Sequence, residues 1–210
     1  MRNYLFFCII ICIALLGCKT KEKKAEERSV KEIAVASTVI VKPVDFRNAS
    51  WGLSKEQVKK TETAHLVDAS DDVLLYTGKI ANLKSQIAYK FVDDTLYYGI
   101  YLISEKYSNP NNYITSFNEL KGLLSEKYGE PKRDKKVWKG SLYKGDVENY
   151  GIAVTSGELV YVANWETEST DICIMLSGNN FVPQFAVMYE SKQYKSIAEK
   201  AEKNKMLKDL

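Results

Sequence analysis

Few side chains in this sequence have the type and spacing to do chemistry. His65 is the sole imidazole. A Ser-His-Asp set on it would need the fold to bring a hydroxyl and a carboxylate to its two nitrogens, and nothing local positions a nucleophile. A single histidine just past the end of an expected helix is more often a favourable contact with the helix C-terminus. The carboxylate pairs Asp71-Asp72 and Asp93-Asp94 lack the alternating oxygen ligands and central glycine of a calcium loop, and read as turn residues. Cysteines stand at positions 8, 12, 18 and 173. Cys173, in the run Asp171-Ile172-Cys173-Ile174-Met175-Leu176, reads as a small hydrophobe inside a strand. One histidine and no paired cysteines cannot furnish a zinc site. There is no glycine-rich phosphate loop and no G-x-S-x-G elbow. No cofactor and no metal are expected. What remains is Cys18 and a set of aromatics, of which Tyr97, Tyr101 and Tyr143 are candidate contacts for a protein partner, since tyrosine joins apolar area to a polar tip.

The setting of Cys18 is informative. Met1-Arg2-Asn3-Tyr4 is a weakly positive start, Leu5 to Leu16 is unbroken apolar sequence, and Leu15-Leu16-Gly17-Cys18 closes it. That is the layout of a secretory signal. Twelve apolar residues are also too few for a membrane-spanning helix, which takes roughly 20. The motif resembles the lipobox of bacterial lipoproteins. The resemblance implies diacylglycerol on the Cys18 thiol and cleavage before it, so that 1–17 is a signal peptide and the mature chain is exported and lipid-anchored to a bacterial membrane. Residues 18–40 then read as the lipidated cysteine and a charged, flexible tether, because Lys19 to Glu32 has almost no apolar content. Some 20 such residues reach about 25 Å, so the domain is expected to stand off the membrane. Cys8 and Cys12 leave with the signal and Cys18 is consumed by lipid, which leaves Cys173 without a disulfide partner.

The chain carries 30 basic and 27 acidic residues, a net +3. The excess of base lies at both ends and the part between is mildly acidic, a pattern that simple solvation of tails explains. Nucleic acid is not an expected partner.

Residues 41–191 have the patterning of an α+β domain. Val39-Ile40-Val41 suggests a short edge strand. Ser54 and Gln57 form a capping box with Leu53 and Val58 as hydrophobic staple, predicting a helix from Ser54 to about Ala64. Leu74-Leu75-Tyr76 suggests a strand, and Leu83–Val92 with Thr95–Ile103 a hairpin turning at Asp93-Asp94. On its second strand Leu96, Tyr98, Ile100 and Leu102 share one face, with Tyr97, Tyr101 and Ile103 opposite. A second capping box at Ser116 and Glu119 predicts a helix with the stripe Phe117, Leu120, Leu123, Leu124 and Tyr128, stopped by Gly129 and Pro131. Lys132-Arg133-Asp134-Lys135-Lys136 reads as a solvated loop. Strands are expected from Val137-Trp138, at Gly151–Thr155, Leu159–Trp165, Asp171–Leu176 and Gln184–Tyr189, with turns at Ser156-Gly157 and Gly178-Asn179-Asn180. Residues 192–210 read as a charged C-terminal helix whose modest apolar side is Ile197, Ala198 and Ala201. The expected architecture is an antiparallel sheet with two main helices packed against it, plus that C-terminal helix.

Trp51-Gly52-Leu53-Ser54-Lys55-Glu56-Gln57-Val58, Lys127-Tyr128-Gly129-Glu130-Pro131 and Trp165-Glu166-Thr167 look like a module of bacterial envelope proteins spanning roughly Phe46 to Tyr189. Gly52 to Val58 also resembles the start of the BamE-like and beta-lactamase-inhibitor-like envelope domains, in which a helix packs on antiparallel strands and the work is protein binding. The resemblance implies a non-catalytic binding module and carries no catalytic residues. Two other readings stay open: a small-ligand or lipid-binding protein with an apolar pocket between the sheet and the Ser116 helix, and an envelope enzyme built on His65 or an acidic pair.

Overall fold

Three two-residue turns shape the sheet. Ala81-Asn82, Asp93-Asp94 and Asn180-Phe181 each hold both residues at positive φ, between 46° and 68°, the arrangement whose twist matches that of antiparallel strands. They close the hairpins of β2 (Val73–Ile80) with β3 (Leu83–Val92), β3 with β4 (Thr95–Ile103), and β7 (Thr170–Asn179) with β8 (Val182–Ser191). The computed structural model describes residues 44–208. The remaining elements are α1 (Lys55–Thr61), β1 (His65–Ala69), α2 (Asn111–Tyr128), β5 (Arg133–Trp138), a 3-10 turn (Val147–Asn149), α3 (Tyr150–Ser156), β6 (Leu159–Glu166) and α4 (Lys195–Lys208). The eight strands form one antiparallel sheet, ordered β1-β2-β3-β4-β8-β7-β6-β5. The chain is α+β, and two four-stranded meanders meet where β4 pairs with β8. The signal segment, Cys18, the tether and the strand expected at Val39–Val41 lie outside the described residues.

The register separates two faces. Alternate side chains of a strand point oppositely, so Tyr76, Ile87, Tyr101, Val187, Ile174 and Ala163 form one row across six strands, all buried. Phe46 lies across this face where Gly99 leaves room; a Cβ at Gly99 would come 2.2 Å from the ring. Phe117, Leu120 and Leu124 of α2 are buried, with the Phe117 ring centroid 5.5 Å from that of Tyr161 and 6.2 Å from that of Phe185. Burying each such side chain contributes about 1.5–3 kcal/mol, so this face carries the core. Leu123, expected in the same stripe, is 48% exposed.

Several elements differ from expectation, each for a local reason. Helix α1 opens on the capping box, with Ser54 Oγ accepting from the Gln57 N–H and Gln57 Oε1 from the Ser54 N–H. It ends at Thr61 because Glu62 turns its carboxylate back onto the N–H groups of Thr63 and Ala64 and takes extended backbone. Helix α2 begins five residues before Ser116. Asn109 Oδ1 accepts from the Asn111 N–H and Pro110 supplies a helical φ of −60°, while Ser116 is buried in the helix with its hydroxyl 2.7 Å from that of Tyr107. The second capping box therefore does not form. Gly151–Thr155 is helical, not a strand. Its start packs on the start of α2 so closely that a Cβ at Gly151 would lie 2.3 Å from the Pro110 carbonyl carbon, and Asn111 Oδ1 accepts from the Gly151 N–H. Ser156-Gly157 is accordingly the end of α3, with Gly157 at φ +94°. The basic run Arg133–Lys136 is edge strand β5, paired with β6; charge on an edge strand is what keeps it from pairing with other chains. Finally, a bulge between Lys90 and Phe91 breaks the alternation near the hairpin end. Phe91 and Leu96 join the main core, while Val92 and Tyr97 join a small cluster with Ala198 of α4.

Candidate functional site

The densest electrostatics sits where the turn at Phe46–Ala49 meets the end of α1. Arg47, held at φ +53°, donates through Nε (2.6 Å) and Nη2 (2.9 Å) to the Glu62 carboxylate. The same carboxylate accepts from the N–H groups of Thr63 (2.8 Å) and Ala64 (2.7 Å) and from the Tyr89 hydroxyl. Its side chain is wholly buried. Burial by itself would raise the Glu62 pKa, but hydrogen bonds from Arg47, Tyr89 and the Ala64 N–H outweigh it and hold the group at about 2. Burial and the bond to Glu62 push the Tyr89 phenol upward. Arg47 also reaches the Tyr101 hydroxyl at 3.4 Å and lies over its ring. A carboxylate with five donors has no lone pair left for a substrate proton, so this cluster clamps the turn, α1, β3 and β4 together. It is a structural device, and sequence reading missed it.

The residues singled out by sequence do not converge. Tyr101 is buried in the core under Phe46 and Arg47. Tyr97 is buried on the other side of the sheet against α4, its hydroxyl 3.5 Å from Glu202 Oε1, and burial with Glu202 nearby raises its pKa to about 12. Tyr143 is half-buried, in the segment between β5 and α3, packed against the main core. Tyr97 and Tyr101 are buried by the fold itself, whereas Tyr143 keeps part of its ring at the surface. His65 is exposed on edge strand β1, and among the described residues it makes no side-chain hydrogen bond that would complete a triad. Asp93-Asp94 is a hairpin turn and Asp71-Asp72 lies in the β1–β2 connection. Among the described residues no three His, Cys, Asp or Glu side chains converge on a metal position. Cys173 is a half-buried thiol whose pKa is raised by burial.

The face of the sheet opposite the core remains. By register it carries the rows Leu75, Ala88, Ile100, Met188 and Cys173, and Leu102, Ala186, Met175 and Val162. Most of these are half-buried by their neighbours alone, and Leu102 is 40% exposed. Among the described residues only α4 lies on this side. It starts by β8, where Lys195 pairs with Glu190 at 2.6 Å, passes the β3–β4 turn at Ala198, and ends near Lys205, 3.8 Å from Asp72. Two shallow grooves flank it. One of about 390 Å³ is lined by Val73, Lys90, Phe91, Tyr97, Ala198 and Ala201. The other, of about 430 Å³, is lined by Tyr98, Cys173, Met188, Glu190 and Lys195. The pocket expected between the sheet and α2 is instead filled by Phe117, Leu120 and Leu124.

Fold and site together define an α+β domain with one core-bearing sheet face and one face that, among the described residues, only α4 partly covers. No family model, curated protein or solved structure matches this chain. Among the described residues no helix is long and apolar enough to cross a membrane.

Proposed function

We propose that this protein is an exported bacterial lipoprotein, held at a membrane by lipid on Cys18, whose domain is a non-catalytic protein-binding module of the cell envelope. The anchor rests on the apolar run Leu5–Leu16 followed by Gly17-Cys18, and two or more acyl chains are enough for stable attachment. The binding role rests on one observation: α2 and α3 lie against the core-bearing sheet face, and among the described residues the opposite face keeps two rows of apolar side chains that only α4 partly covers. Contiguous apolar surface on a folded domain is the usual signature of an interaction site. The likeness of Gly52–Val58 to protein-binding envelope domains points the same way. The test is cross-linked co-purification of the anchored protein from native membranes, with proteins and small molecules both identified; a reproducible protein partner supports the module, and a chain recovered with only itself sinks it. A second reading, carriage of a small apolar ligand, draws on the grooves beside α4, whose volumes fall in the range of ligand sites. Recovery of a stoichiometric lipid or metabolite would favour it.

A further inference from the structure

The rows on the uncovered face have a definite electrical border. Lys79 and Lys84 stand directly opposite one another on this face at one end of the sheet, and Arg133 and Lys135 lie on the same face at the β5 edge. Like charges placed directly across a strand pair destabilise it. Among the described residues none of these four cations has an ion-pair partner. The carboxylates on this face near α4 are already engaged: Glu166 with Lys132 and Lys192, Asp171 with Lys192, Glu190 with Lys195. Asp68 on β1, exposed beside Leu75, and Asp93 and Glu202 in the groove beside α4 have no ion-pair partner among the described residues. At the two far borders of the apolar rows, Lys79 with Lys84 and Arg133 with Lys135, the uncompensated charge on the strands is positive.

We infer that this face, in the space beside α4, seats an acidic amphipathic helix of a partner protein; the inference rests on the protein-binding reading and specifies its surface and ligand. Three occupants compete for the rows. A second copy would bring the same lysines and arginine against these, so like charge opposes it. A planar bilayer would meet α4 first, because a packed helix stands about 10 Å above the sheet it lies on. A helix has the thickness of α4 and completes the layer that α4 begins. Its apolar side would lie on Ile100, Leu102, Met175 and Met188, of which the two methionines adapt readily to a partner's shape. Its acidic flanks would meet Lys79 and Lys84 on one side and Arg133 and Lys135 on the other.

The test is photo-cross-linking of the full chain in its native membranes. A photoreactive phenylalanine analogue is placed at Leu102 or Met175 on the uncovered face, and at Leu123, exposed on α2, as control. The expected result is an adduct from positions 102 and 175, absent from 123, that maps to a segment of another protein with apolar residues at helical spacing and acidic flanks. The pair Lys79→Glu with Lys84→Glu should lower its yield about tenfold at physiological salt, and Lys59→Glu on α1 should not. Adducts only to lipid, only to a second copy, or insensitive to the charge reversal overturn the inference. A partner captured at 123 alone also overturns it while keeping the binding-module reading. No protein adduct from any position overturns both.

Discussion

Glu62 is the residue on which the first half of the domain turns. Its carboxylate is charged in the folded state with a pKa held at about 2, below the ordinary carboxylate value of 4.5. A lowered carboxylate pKa stabilises the fold at pH above the unfolded value, and that stability is lost as pH falls through the folded value. The clamp should thus be intact at neutral pH and weaken between about pH 4.5 and 2, measurable as a falling urea midpoint across that interval. Glu62→Gln leaves the half-buried Arg47 without its counter-charge and should cost about 3 kcal/mol at pH 7, the low end for a broken buried pair, with a flatter acid limb in the same titration. A result within 0.5 kcal/mol of wild type would remove the clamp from the account. Gly99 gives a second test at this scale. Gly99→Ala drives a Cβ into the Phe46 ring and should destabilise by about 1–3 kcal/mol, read as a lower midpoint in chemical denaturation. Neither effect was legible in sequence. Arg47 and Glu62 are 15 positions apart, and no local pattern couples a tight turn to the end of a helix.

Elements were legible where their instructions are local. The Ser54 box, the Asp93-Asp94 turn and the Gly129 stop involve neighbours within four residues, and each stands where the pattern puts it. The Ser116 box has the same pattern and fails, because Asn109 and Pro110 start the helix first and Ser116 is needed to meet Tyr107. Gly151–Thr155 has strand-like composition, but docking of Gly151 on Pro110 makes it a helix. Helix α4 is held by little burial, since Ala198 is its only buried residue among those described with a side chain. Ala198→Glu should undock it. Hydrogen exchange would then show α4 amides near the unprotected rate, while the strands keep their protection and stability falls by only about 1 kcal/mol. Protection lost throughout the sheet would mean that α4 is integral to the core.

For the whole molecule, the proposed anchor has a direct test. Cys18→Ala should move the protein from the membrane fraction to the soluble fraction with its thermal unfolding unchanged, and mass analysis of the wild-type mature chain should find acylation at Cys18. A mature chain without lipid would remove the membrane from the functional reading. The sequence by itself determined the α+β class, the β3–β4 hairpin and the start of α1, because turns and caps act over short stretches of chain. Tertiary structure decided which side chains are surface and which are core. Tyr97 and Tyr101 look alike in sequence, yet a bulge on β4, where Lys90 pairs with Tyr98 but Phe91 with Leu96, leaves Tyr97 as the extra residue and sends the two to opposite sides of the sheet, both buried. It also decided where a partner could bind. The uncovered face is assembled from both halves of the chain once β4 pairs with β8, and ties such as Trp51 to Thr170, 119 positions apart, exist only after folding. The physical reason is range: local hydrogen bonds are written in neighbouring residues, whereas burial depends on what the rest of the chain places on top.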